Sequence, residues 1–187
     1  ASGNDPIGYP SLFIGKYQRL NIPGSNLPKS VSSLTSSNSI MIPTVFETNA
    51  LNVSHSDFNA AYDVWFTANS SPLSDTASSP GSGGAYLMVW MYDPSNRQPR
   101  GSRVTTATIA GSSWDVWMDY SNPACVSYVA TSERSSLDAD LNAFIKHAVN
   151  NNYGVTNSMY LSVIFGGLEV WSGASGAAVT NFCVKVN

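Results

Sequence analysis

The sequence predicts an all-β domain, a two-sheet antiparallel β-sandwich with one α-helix on its convex face, and three observations carry that prediction. Short runs rich in Val, Ile, Tyr, Trp and Thr recur along nearly the whole of the 187 residues, as the strands of a layered β fold do. Clusters of Gly, Pro, Ser and Asn separate those runs, which supplies the turns. A single segment, 136 to 150, spaces its apolar residues at a helical rather than an alternating period.

The strand signals cover residues 11 to 19, 38 to 46, 60 to 67, 85 to 93, 102 to 111, 113 to 118, 124 to 131, 158 to 166, 168 to 172 and 178 to 186. Loops rich in Ser, Pro and Gly fill 69 to 84 and 93 to 101, but strand signals resume directly on both sides, so 1–187 reads as one domain. In the helical segment Leu137, Leu141, Ile145, Ala148 and Val149 share a face. Ser136 can cap its start, and Asp138 and Asp140 suit its positive end. The apolar stripe predicts packing against the outside of a sheet.

Charged residues make up 11% of the chain, less than half of the roughly 25% usual for soluble proteins. Ser, Thr, Asn and Gly fill the polar positions instead, a surface expected of a secreted protein. The net charge of −3 comes from scattered residues with no basic stripe, so nucleic acid is not the expected partner. No apolar run approaches the ~20 residues that cross a bilayer, and Ala1-Ser2-Gly3-Asn4-Asp5 has no leader character, which fits an exported and already processed chain without a membrane partner. Cys125 and Cys183 each lie in a strand-like run and are either a disulfide or two buried thiols. With two cysteines and two histidines at no ligand spacing, no metal and no cofactor is expected. His55, in a polar loop, and His147, in the last turn of the helix, read as structural.

Alternation along strands says which side chains share a face. Asp63 and Trp65 oppose Tyr62, Val64 and Phe66. Tyr86, Met88, Trp90 and Tyr92 oppose Leu87, Val89 and Met91. Asp115 and Trp117 share a face opposite Trp114 and Val116, and Glu169 and Trp171 share one opposite Leu168 and Val170. One such strand is ordinary core with a solvated acid, but four repeating the pattern predict a concave face that binds a neutral glycan, with aromatic platforms for sugar rings and carboxylates for hydroxyls or chemistry. Hydrolysing a glycosidic bond takes two carboxyl groups, about 5 to 5.5 Å apart when one is the nucleophile and about 6.5 to 9.5 Å apart when water attacks. Glu169, Asp63 and Asp115 are the candidates for that pair.

At these residues the chain resembles glycoside hydrolase family twelve, secreted β-jelly-roll endoglucanases and xyloglucanases of the retaining type. Tyr9-Pro10-Ser11-Leu12-Phe13 with Gly24-Ser25-Asn26-Leu27-Pro28 resembles an early strand and loop of the family. Tyr62-Asp63-Val64-Trp65 resembles the strand whose aspartate supports the nucleophile, and Gln98-Pro99-Arg100-Gly101 with Ser113-Trp114-Asp115-Val116-Trp117 resembles the segments after it. Gly167-Leu168-Glu169-Val170-Trp171 resembles the acid/base motif, and the helix and Val184-Lys185-Val186-Asn187 follow in family order. The resemblance implies a jelly roll of the concanavalin-like kind and makes Glu169 the general acid/base. Two departures matter. Where the family reads Tyr-Glu-Leu-Met-Ile-Trp, this chain reads Ala85-Tyr86-Leu87-Met88-Val89-Trp90, so Tyr86 replaces the nucleophile. The family's N-terminal strands and a substrate-contacting tryptophan also have no visible counterpart, and Ala1 to Ile7 is expected to pair along the sheet edge there.

The expected function is an endo-acting hydrolase of β-glucan with non-standard catalytic residues. Glu169 is the acid, Asp63 or Asp115 activates a water, Tyr86 positions that water or the sugar, and Trp65, Met88, Trp90, Trp117 and Trp171 hold the glycan. The alternative is a non-catalytic carbohydrate-binding protein that kept the cleft and lost the nucleophile. A third reading, elimination next to a uronic acid, needs a cation that the cleft strands do not supply. The glycan's linkage and the oligomeric state are not written in the sequence.

Overall fold

The computed structural model describes residues 5–36, 41–53, 57–93 and 97–187. In chain order it contains β1 (Ser11–Tyr17), β2 (Leu20–Asn21), β3 (Lys29–Ser30), α1 (Val31–Ser36), β4 (Pro43–Thr48), β5 (Asp57–Thr67), β6 (Ala85–Tyr92), β7 (Ser102–Ile109), β8 (Ser112–Asp119), β9 (Ala124–Ala130), β10 (Ser136–Asp140), α2 (Asn142–Asn150), β11 (Tyr160–Ser172) and β12 (Val179–Val184). The large sheet runs β2-β1-β11-β5-β6-β9-β8-β7 with β3 also on β11, and a small sheet runs β10-β4-β12. All pairings are antiparallel except β6 with β9. The result is the predicted two-sheet sandwich with one main helix.

Alternation builds the core between the layers. Along β5, Phe58, Ala60, Tyr62, Val64 and Phe66 point inward and are fully buried, joined by Leu87 and Val89 of β6 and by Trp114 and Val116 of β8. The small sheet closes over them through Phe46, whose ring meets Tyr62 at 5.0 Å and Phe182 at 6.2 Å. The buried Tyr62 hydroxyl finds its partner in Thr44 Oγ1 at 2.5 Å, which ties the two sheets together. Gly166 of β11 faces that contact, and a Cβ there would come within 2.5 Å of the Phe182 ring. Helix α2 packs on the same inner face, with Phe144 edge-on to Trp114 and Tyr128. His147 binds the Tyr128 hydroxyl through Nδ1 at 3.0 Å and is structural, as expected.

Several boundaries differ from the sequence expectations, each for a physical reason. Residues 136 to 140 are the strand β10, not the first turn of the helix, because they pair with β4 at Ser136↔Glu47 through Asp140↔Pro43. Ser136 therefore caps nothing, and Asp140 Oδ1 instead accepts the N–H groups of Ile42 and Asn142 where the helix begins. The strands expected at 158 to 166 and 168 to 172 are one continuous β11 with bulges. The strand expected at 38 to 46 is β4, Pro43–Thr48; residues 38–40 lie outside the described residues, as do His55 and Ala1 to Asn4. The pairing expected of the N-terminal segment is present at Ile7, whose N–H donates to Val170 O, and at Gly8, which bridges Val170. Cys125 and Cys183 form no disulfide. They belong to different sheets, Cys125 buried on β9 and Cys183 exposed on β12.

Candidate active site

The outer face of the large sheet, turned away from the small one, carries most of the residues that alternation placed together, and the strand register sorts them into rows. The first row is Val163, Trp65, Tyr86, Cys125 and Asp119. The second is Phe165, Asp63, Met88, Ser127, Trp117 and Arg103. The third is Gly167, Ala61, Trp90, Val129, Asp115 and Thr106. Glu169 stands opposite Asn59 in a fourth. On the other side of β11, the pairs Ser11↔Gly167 and Gly8↔Val170 bring Tyr9 beside Glu169.

Glu169 is held from both sides. Asn59, fully buried, donates from Nδ2 to Glu169 Oε2 at 2.5 Å and accepts the Glu169 N–H at 3.2 Å. Burial raises the Glu169 carboxyl to about 7; the Asn59 hydrogen bond opposes the rise and the charge of Asp93 adds to it. Asp63 accepts from Trp65 Nε1 at 2.7 Å through Oδ2, while its buried Oδ1 has no partner among the described residues. Burial also raises Asp63 to about 7, against the Trp65 hydrogen bond and with help from the charge of Glu169. The two acids are four positions apart in the register and still feel each other's charge. Ala61 and Gly167 lie between them, and Tyr9 crosses that gap, donating its hydroxyl to Ala61 O at 2.9 Å with its ring against Phe165. Burial pushes the Tyr9 phenol well up, and the nearby Asp63 and Glu169 push it further.

Trp90 and Trp171 meet at 6.4 Å beside Glu169, and the Arg97 guanidinium lies 4.9 Å over the Trp171 ring while pairing with Asp57. A groove of 260 Å³ continues from Trp90 across β9 and β8, lined by Asp93, Asp115, Val129 and Glu133. Met88 and Trp117 are partly exposed on the same face, one row further on.

The expectations that do not hold each have a cause. Trp65 faces outward as alternation requires, but it is only 6% exposed, covered by Tyr17, Phe165 and Tyr86, so it is no free platform for a sugar. Tyr92 is not on the outer face. A register shift between Ala60 and Ala61 turns it inward against Phe58. Asp115 is not brought to Glu169. It lies four strands away, about 19 Å at ~4.8 Å per strand, where hydrogen bonds from Arg103 and Thr106 hold its carboxyl below the usual range. Tyr86 is six positions from Glu169 in the register, although Cys125, paired with Tyr86, still feels the Glu169 charge; the Tyr86 hydroxyl is raised by burial and then by Asp63. Cations do reach the cleft, Arg97 from the loop after β6 and Arg103 from β7. Both are engaged by carboxylates. Sequence reasoning passed over Asn59, Tyr9, Arg97 and Asp93. Only Asn59 left a trace, as the next outward position of β5 before Ala61 and Asp63.

A sandwich sheet whose outer face joins paired tryptophans to carboxyls raised toward neutrality has the parts of a glycoside hydrolase. A model of glycosyl hydrolase family 12 matches residues 14–187, and the chain belongs to that family. It is 32% identical over 166 residues to the "Probable cellulase Cel12b" of Mycobacterium tuberculosis, covering 88% of this chain and 99% of that one. The xyloglucan-specific endo-beta-1,4-glucanase A of Emericella nidulans is 32% identical over 138 residues, 69% of this chain. Among solved structures, the endoglucanase Cel12A of Rhodothermus marinus superposes with a TM-score of 0.87 at 31% identity over 99% of this chain. The chain spans 76% of the Rhodothermus chain and about half, 52%, of the Emericella enzyme. No helix among the described residues is long and apolar enough to cross a membrane, and no group of them is arranged to hold a metal.

Proposed function

We propose that the chain cleaves internal bonds of an extracellular β-glucan with Glu169 as proton donor and water as the attacking group. The observation that carries this reading is the state of Glu169. A carboxyl raised to about 7 beside Trp90 and Trp171 holds its proton where a glycosidic oxygen would need it. In the reaction Glu169 protonates the leaving oxygen as its bond to the anomeric carbon breaks. Water adds from the opposite side, and a second carboxylate takes the water's proton. Tyr86 supports the absence of a covalent step, since a phenol whose hydroxyl is raised by burial is a poor nucleophile. Asp63, tied to Trp65 through Oδ2, shares the surroundings of Tyr9 and Glu169. The relatives named as cellulase and as xyloglucan-specific enzymes make β-1,4-linked glucans the first substrates to try.

Tyr86 also favours a second reading, a carbohydrate-binding protein without catalysis. Reducing-sugar release from soluble β-glucans, run beside a binding assay on the same panel, separates the two. Glu169→Gln is expected to lose cleavage and keep affinity. Cleavage unchanged in that variant removes Glu169 from the mechanism, and wild-type binding without cleavage favours the second reading.

A further inference from the structure

The register pairs Glu169 with Asn59, and the next residue of β5, Ala60, with Tyr92, the last residue of β6, which Asp93 follows directly. Asp93 therefore leaves the end of β6, two strands from Glu169, and its charge reaches the Glu169 carboxyl. Two strands at ~4.8 Å separate their backbones sideways by about 9.6 Å, room for a glycosidic bond and a water between their side chains. The same register shift that turns Tyr92 inward against Phe58 turns the next residue outward, and Asp93 lines the groove with Trp90. Without the shift Asp93 would face the core.

We propose that Asp93 is the carboxylate that activates the attacking water opposite Glu169. This rests on the hydrolytic reading above and names its missing partner. A proton of the water passes to Asp93 as the water oxygen bonds to the anomeric carbon. The electron pair of the breaking bond stays on the glycosidic oxygen, which takes the proton of Glu169, and the configuration inverts.

Most other acids of the face are otherwise engaged, and Glu133, which also lines the groove, stands in the loop between β9 and β10. Asp57 pairs with Arg97, Asp115 with Arg103 and Asp119 with Arg100, while Asp63 is bound to Trp65 two rows from Glu169. Asp93 is oriented without being neutralised. Its Oδ1 accepts the Arg97 backbone N–H at 3.0 Å, and its other oxygen has no hydrogen bond among the described residues. Beside it the Trp90 indole, 3% exposed, has an Nε1–H without an acceptor among the described residues. A buried donor left so is satisfied by water or by a ligand hydroxyl. The groove of 260 Å³ has room for both, since a water takes ~30 Å³. Protonation agrees with the geometry. Burial raises Asp93 to about 6, against the Arg97 N–H bond and the Arg97 charge and with the charges of Glu133 and Asp57, while Glu169 stands at about 7. Both carboxyls are raised, Glu169 to the higher value, which favours Glu169 as the one of the two that holds the proton.

The test uses the whole chain on a soluble β-glucan that the wild type cleaves. Asp93→Asn and Asp93→Ala are expected to lower kcat by about 10²- to 10⁴-fold, with KM and the melting curve little changed. Azide added to the alanine variant should restore turnover and yield the α-glycosyl azide. Unchanged kcat in both variants overturns the proposal, as does azide rescue of Asp63→Ala but not of Asp93→Ala, or a β-azide product. A wild type that cleaves while Glu169→Gln is inactive and Asp93→Ala is not would overturn the assignment of Asp93 alone. A wild type that cleaves no glucan overturns the hydrolytic reading together with it.

Discussion

Replacing Asp63 by Asn should stabilise the protein at alkaline pH and much less in acid. Asp63 is raised from its ordinary 3.8 to about 7. Between those values the folded chain keeps a proton that the unfolded chain has released, so stability falls as pH rises through that window, and the full cost is present above about 7. The shift corresponds to about 4 kcal/mol at pH 8 and about 1.6 kcal/mol at pH 5, at 1.36 kcal/mol per pKa unit. The side chain is partly exposed and coupled to Glu169, so about 1–2 kcal/mol of the difference between the two conditions should survive. For a domain of this size that is a rise in Tm of about 2–8 °C at pH 8 relative to pH 5. Asn can still accept from Trp65 Nε1, so the packing contact is kept. Thermal melts of wild type and variant at both pH values measure the effect. A variant equally destabilised at pH 5 and pH 8 would refute the burial argument for this carboxyl.

The kcat/KM profile should be a bell centred between about 6 and about 7, its acid limb from protonation of Asp93 and its alkaline limb from deprotonation of Glu169; a flat profile across that range contradicts the acid/base pair. Gly166→Ala drives a Cβ into the Phe182 ring and should cost about 1–3 kcal/mol, read as a lower denaturation midpoint. A thiol reagent should titrate Cys183 in the native protein and Cys125 only after unfolding; no reactive thiol without reductant would indicate a disulfide after all.

Period-two alternation was enough to put Asp63, Met88, Trp117 and Glu169 on one face, because β5, β6, β8 and β11 keep a regular pleat through those residues. It failed at Tyr92, where a register shift between Ala60 and Ala61 leaves no mark in the sequence, and Asp93 was invisible for the same reason. Leu137 and Leu141 fit a helical spacing and also the inward positions around β10; pairing with β4 decides between them, and that is a long-range contact. The two cysteines could not be separated by spacing because their strands lie in different sheets. Alternation gives the face but not the row, so the distances from Glu169 to Asp115 and to Tyr86 depended on the register across several strands.

Direct attack of water on the anomeric carbon, with Glu169 as the acid, inverts the configuration at that carbon. Proton NMR of the first hydrolysis products, recorded before mutarotation, tests it on any β-glucan the wild type cleaves. Direct attack makes the α-anomer of the new reducing end appear first and decay to the equilibrium mixture. The β-anomer appearing first would mean a covalent intermediate and would contradict it.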